Sequence, residues 1–168
     1  MISIQIPVKA HVYKYLNSQF GLSMTLTKSH SVGLLLSHLL KRNSKDKQYE
    51  YVLQSYEKSY TVDIPKGFVF NRGVRYLSTY SVMQLNNFVD DLIKAQFFTF
   101  MELHLAAGVM RRDAIYKFRE RYGFGEDELA FETLKKAYYR HERSQRALDV
   151  VPVNPLSHAT LPTFARTA

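Results

Sequence analysis

The chain contains no cysteine. Disulfide frameworks, thiol catalysis and cysteine-ligated zinc are therefore excluded, and the absence suits a reducing cytoplasm. Acidic residues are few beside basic ones: 15 Asp and Glu stand against 23 Lys and Arg, a formal net charge of +8. No apolar run reaches the roughly 18 residues that would suggest a membrane span. The longest candidate, FVDDLIKAQFFTFMELHLAAGV, is interrupted by Asp90, Asp91, Lys94 and Glu102. The first residues, MISIQIPVKAHVYKYL, lack the charged-then-apolar order of a signal peptide. Neither GxxxxGK[ST] nor GxGxxG occurs, and YGFG is too short and too aromatic to cradle a phosphate. These absences lead us to expect a cytoplasmic, soluble chain with no membrane association, no cofactor and no evident small-molecule substrate.

Catalytic constellations are also missing. The six histidines (11, 30, 38, 104, 141 and 158) form no HExxH or other compact ligand spacing, so no metal site is expected. His30 and His38 straddle a leucine-rich segment and read as surface or satisfied core residues. Asp90 and Asp91 are adjacent, about 100° apart on a helix. They do not share a face as a hydrolytic pair would, and a solvated edge accounts for them. No enzyme is expected.

What is present is a chain of ordinary globular composition, 46% apolar and 23% charged over 168 residues. That length suits one core, or one core with a small helical module. The charge is unevenly spread. Residues 1–50 carry seven Lys and Arg against two Asp and Glu, residues 51–108 five against five, and residues 109–146 ten against seven. Excess positive charge points towards nucleic acid or another anionic surface.

Along the chain, ISIQIP alternates like a half-buried strand stopped by Pro7. Val8, Val12, Tyr15 and Leu16 then fall at helical spacing, with Gly21 as the stop. LSMTLT reads as a strand. KSHSVGLLLSHLLKR reads as a helix capped by Ser29 or Ser31, with Leu35, Leu36, Leu39 and Leu40 inward. After a polar connector at 41–48, strands are expected at 49–55 and 59–64. A long helix starts at Ser81 and ends or bends at Gly108, and two more follow at about 110–122 and 130–147. The fold class is thus α+β: a mixed strand and helix region over 1–80, a helical module with a helix-turn-helix over 81–147, and a disordered tail over 148–168.

The basic end of that module carries the functional expectation. Ala114, Ile115, Phe118 and Tyr122 line one face of the penultimate helix. Gly123 stands where a helix ends in a left-handed conformation, and Glu126, Asp127 and Glu128 precede the last helix, whose dipole favours them. In FETLKKAYYRHERSQR, Phe131, Leu134, Ala137, Tyr138 and His141 cover one side. Lys135, Lys136, Tyr139, Arg140, Arg143 and Arg146 cover the other. A major groove admits such a helix, arginines pair with guanine edges, and lysines and tyrosines meet phosphates. Arg111 and Arg112 are placed to hold the flanking backbone. Glu132 and Glu142 lie near the basic face, within pairing range of Lys135, Lys136 or Arg146, as on a plain solvated helix.

The run RDAIYKFRERYGFGEDELAFETLKKAYYRHER resembles the C-terminal helix-turn-helix of small regulators of Mu-like phages and mobile elements, including the Mor-type transcription activators. The shared pattern is an I..F...YG helix, an acidic link and an F.TLKK.YYR helix, over about 35 of the 168 residues. The resemblance implies a homodimeric activator that self-associates through its N-terminal part. Residues 135, 136, 139, 140, 143 and 146 would then lie nearest the DNA.

The leading expectation is a sequence-specific double-stranded DNA-binding transcriptional regulator of a phage or mobile element, dimeric and without covalent chemistry. The alternative is a non-enzymatic protein-interaction or structural component with a basic surface. Two further nucleic-acid readings use the N-terminal region. Tyr49, Tyr51, Tyr56 and Tyr60 would stack bases of a single strand, or Ser3 and Gln5 would read a groove from a ribbon-helix-helix strand paired across a dimer.

Overall fold

The computed structural model describes residues 1–40, 56–68 and 77–149. In chain order come β1 (Ile2–Val8), α1 (Ala10–Phe20), β2 (Ser23–Thr25), α2 (Ser31–Leu39), β3 (Lys58–Ile64), α3 (Thr79–Ala106), α4 (Arg111–Tyr122) and α5 (Phe131–Asp149). The fold is α+β, with a small N-terminal sheet followed by helices. The expected strand at 49–55 and the tail from 150 lie outside the described residues.

The sheet runs β1-β3-β2. β1 is antiparallel to β3, with Ile2 opposite Ile64 and Ile6 opposite Tyr60, and β2 is parallel to β3, with Met24 opposite Val62. Alternation puts Ile6, Val8, Tyr60, Val62 and Ile64 into the core. Pro7 does not stop β1, which continues to Val8. An edge strand has one side free of ladder partners and so accommodates a residue without an N–H. Pro65 does end β3, which is the central strand and needs donors on both sides. Val8, placed at the start of a helix by its spacing, is the last residue of β1.

Ser3 donates to the Asp63 carboxylate at 2.5 Å, so this candidate reader is held within its own sheet. Tyr60 is buried rather than displayed for stacking. Its hydroxyl donates to the Gly21 carbonyl at 2.8 Å, the Tyr13 ring meets it edge-on, and burial pushes its phenol up to about 12. Tyr49 and Tyr51 lie outside the described residues.

α2 is capped by neither Ser29 nor Ser31. The Nδ1 atom of His30 accepts from the Gly33 N–H at 3.0 Å, while its ring packs on Phe20. An imidazole nitrogen satisfies an orphan helix donor as a serine oxygen does. Gly33 is needed for close approach, because a Cβ there would run into the Thr27 carbonyl oxygen and the His30 ring. Leu36 and Leu40 are buried, whereas Leu35 and Leu39 are only half-buried.

α3 begins earlier than its apolar period suggests, because Ser78 accepts from the Ser81 N–H and caps the helix there. It ends at Ala106, and Gly108 leaves it with φ of 80°. Along its length Leu85, Val89, Ile93, Phe97 and Met101 form one buried stripe. The upper part of that stripe meets the sheet and α1. The lower part meets α4 and α5: the Phe97 ring, fully buried, lies 5.0 Å from Phe118 and 6.3 Å from Tyr138, centroid to centroid. One cluster of buried side chains therefore runs from Ile6 in β1 to Tyr138 in α5.

Phe97→Ala should remove the contact that α4 and α5 share, costing about 3–5 kcal/mol of unfolding free energy. Urea denaturation followed by circular dichroism reads this. A loss below about 1 kcal/mol would show that the site collapses around the deletion.

Candidate functional site

The α4–α5 unit is built by its ends. α4 stops at Gly123, whose φ of 66° and ψ of 31° are the left-handed cap expected there. Of the three acids before α5, Glu126 accepts from the Phe131 N–H at 2.9 Å and so occupies the positive end of the helix. Glu128 faces elsewhere, accepting from the Gly125 N–H and from Lys14 Nζ of α1. Lys14 also donates to the Gly123 carbonyl, so α1 grips the link between the two helices.

α5 is anchored by one side. Leu134 and Tyr138 are buried, and Phe131 stacks on Tyr116 at 5.0 Å. The His141 ring lies flat against Phe98 at 4.1 Å, with Nε2 3.1 Å from Glu102. Burial, then the Glu142 carboxylate, pushes the Tyr138 phenol above its ordinary value against the pull of Arg111.

The other side faces outward. Lys136, Tyr139, Arg140, Arg143 and Arg146 are exposed. Among the described residues no acidic side chain pairs with Lys136, Arg140, Arg143 or Arg146. Lys135 is half-buried and pairs with Glu132 at 3.2 Å, an exposed i,i+3 contact of small energetic weight. Glu142 pairs with neither Lys135 nor Arg146. It accepts from Arg111 Nη2 at 2.6 Å, which ties the start of α4 to the middle of α5. Arg111 is thus engaged within the fold, its guanidinium also lying 5.8 Å from the Tyr138 ring and 5.5 Å from that of Tyr139. Arg112 is exposed over Tyr116. From Arg143 to Ala147 every residue is exposed, so α5 outruns the core that supports it.

Four of the eight candidate residues, Arg111, Arg112, Lys135 and Tyr139, also line a recess of about 250 Å³ between α3, α4 and α5. Its floor is Met101 and Ile115, both buried. Helical spacing alone does not reveal it, because its walls come from three elements. Arg140, Arg143 and Arg146 lie away from it, further around and along α5.

A second polar cluster corrects the reading of Asp90. Rather than a solvated edge, its carboxylate is largely buried, accepting from Lys9 Nζ at 2.5 Å and from His11 Nε2 at 2.6 Å. Asp91 alone is solvated, beside Lys94. One turn earlier, buried Asn86 accepts from the Lys9 N–H and donates to the carbonyls of Pro7 and Val82. Burial by itself would raise the Asp90 carboxyl. The hydrogen bonds from His11 and Lys9, and their charges, outweigh it and hold the group below its usual range. His11 and Asp90 resemble the orienting half of a hydrolytic triad, but among the described residues no hydroxyl nucleophile bonds to His11. The cluster joins α1 to α3. Among the described residues, no group of three or more His, Asp or Glu side chains is placed to hold a metal ion. No described helix is long and apolar enough to cross a membrane.

Because the Asp90 carboxyl titrates lower in the folded chain than its ordinary 3.8, its stabilisation is full above that value and is lost as pH falls through the folded one. Asp90→Asn should lower the unfolding free energy by about 1–3 kcal/mol at pH 7. The gap from the parent should narrow below pH 3.8, as measured by denaturant titrations at several pH values. A gap that is constant with pH would assign the loss to packing.

Compared with protein-family models, curated proteins and solved structures, the chain matches none.

Proposed function

We propose that the chain is a sequence-specific double-stranded DNA-binding regulator that acts as a homodimer and presents the outer flank of α5 to the duplex. One observation carries this reading. Lys136, Arg140, Arg143 and Arg146 share the outward flank of a helix whose opposite flank is anchored, and among the described residues no carboxylate neutralises them. Guanidinium groups left in water at such density raise the local potential for a polyanion, and their forked donors suit phosphate and guanine alike. Two of these arginines, Arg143 and Arg146, lie in the run 143–147 whose every residue is exposed, which supports their access to a groove. The likeness to Mor-type regulators supports the same assignment.

Within this reading the residues divide by role. Arg140 and Arg143 are the base or phosphate contacts nearest the helix centre, and Lys136 and Arg146 meet the backbone on either side. Arg112 holds the flanking phosphate. Arg111 serves mainly to fix α4 against α5 through Glu142, so its contribution to DNA binding is positional.

The double variant Arg140→Ala/Arg143→Ala should bind duplex DNA at least about 30-fold more weakly, since each lost contact of this kind costs about 1–3 kcal/mol. If both arginines meet phosphates, the slope of log affinity on log salt should become shallower by about 1.8. Its melting temperature should match the parent's, because both side chains are exposed and have no carboxylate partner among the described residues. Fluorescence anisotropy over a salt series, with thermal melts alongside, reads all three. Unchanged affinity in the variant would move the contact surface elsewhere. A parent chain with no duplex affinity at physiological salt, but with a protein partner, would replace this function with the interaction reading.

A further inference from the structure

We propose that the recess between α3, α4 and α5 is a binding site for a small amphipathic anion: a flat aryl or hydrocarbon body carrying one carboxylate, sulfonate or phosphate head. The site goes beyond DNA binding and does not depend on it.

The recess has two chemically distinct layers. Its floor, Met101 and Ile115, is apolar and buried, and Tyr138 and Phe131 wall it with aromatic faces. Its mouth is cationic. Arg111, Arg112 and Lys135 surround it, each lying within 6.0 Å of a neighbouring ring centroid. Those rings keep the cations at the rim rather than extended into water. Arg111 spends one Nη on Glu142, and its remaining donors stay available. Lys135 is held only by the exposed Glu132 contact, which an incoming anion displaces at little cost. Arg112 has no carboxylate partner among the described residues.

The two layers select the ligand class. A duplex phosphate would satisfy the rim but leave the apolar floor in contact with water. A nucleobase would fill the floor but carry polar edges that Met101, Ile115 and Phe131 have no groups to satisfy. A body without polar edges, ending in an anion, satisfies both layers. Size narrows it further. A volume of about 250 Å³ lies below the usual range for drug-sized ligands, yet exceeds the cavity of about 150 Å³ that holds one benzene. One or two fused rings with a single acidic head fit. Because Arg112 also belongs to the surface proposed for DNA, such a ligand and a duplex would compete for it, and by linkage each would weaken the other equally.

The probe is 2-naphthoate, titrated into the full chain by calorimetry, with the isosteric neutral 2-naphthamide as control. One molecule of 2-naphthoate should bind per chain, and the amide should bind about tenfold more weakly or worse. Arg112→Gln and Lys135→Gln should each weaken 2-naphthoate severalfold, while Lys94→Gln, far along α3, should leave it unchanged. Both rim variants alter side chains at the surface, and thermal melts verify that they fold. Amide binding equal to that of the acid, indifference to both rim variants, or no saturable binding would overturn the site. A random duplex titrated at low salt separates this proposal from the DNA reading. Naphthoate bound without duplex leaves the recess standing and removes the DNA function; duplex bound without naphthoate does the reverse.

Discussion

The fully buried ring of Phe97 is the contact on which the arrangement of the C-terminal helices depends. α4 reaches it through Phe118 and α5 through Tyr138, so both are referred to the same point on α3. α5 is also anchored by Leu134 below, Tyr116 against Phe131, the stack of His141 on Phe98 and the pairing of Glu142 with Arg111. A helix with so polar a sequence is marginal by itself in water. Its rotation about its own axis, and hence which side chains face outward, is therefore set by those few contacts. The cationic flank follows from packing on the opposite side.

α1 makes the polar counterpart of that packing. Near its start, Lys9 and His11 hold Asp90 of α3, and one turn on, Lys14 holds Glu128 and the Gly123 carbonyl between α4 and α5. Tyr15 follows directly on Lys14, its ring 5.7 Å from that of Tyr122. The sheet side of the molecule is thereby bound to the helical side at two separated points over a shared apolar core. Burial raises the cost of each carboxylate, and cationic partners offset it. Such joints specify one docking of α1, because a shift by one residue would strand a buried acid.

Much of the helical half is legible in the sequence because its signals are local. Gly123 as a left-handed stop, the two helices around it, and the split of α5 into anchored and outward sides all follow from residues within a few turns of one another. The apolar stripe of α3 is legible for the same reason. What sequence spacing misses depends on distant partners. Asp90 reads as solvated because Lys9 and His11 lie about 80 positions away. Arg111 reads as a free phosphate contact because Glu142, its partner, has nearer cations at helical spacing. The His30 cap escapes notice because serines flank it, and preference for a capping oxygen does not register an imidazole nitrogen doing the same task. Pro7 reads as a stop because nothing local reveals that β1 is an edge and β3 the centre.

The stretch of α5 beyond His141 has a thermodynamic consequence. Once the Arg111–Glu142 pair is passed, every side chain from Arg143 to Ala147 is exposed, so the backbone there is held mainly by its own helical ladder. Amides there should open with a small free energy, far below that of global unfolding. Whatever clasps those turns must therefore take on their ordering entropy, about 1–2 kcal/mol per residue fixed. Complex formation by this end of the molecule becomes partly a folding event. Its enthalpy gain is opposed by an entropic loss that grows with temperature, which favours readily reversible complexes over permanent ones.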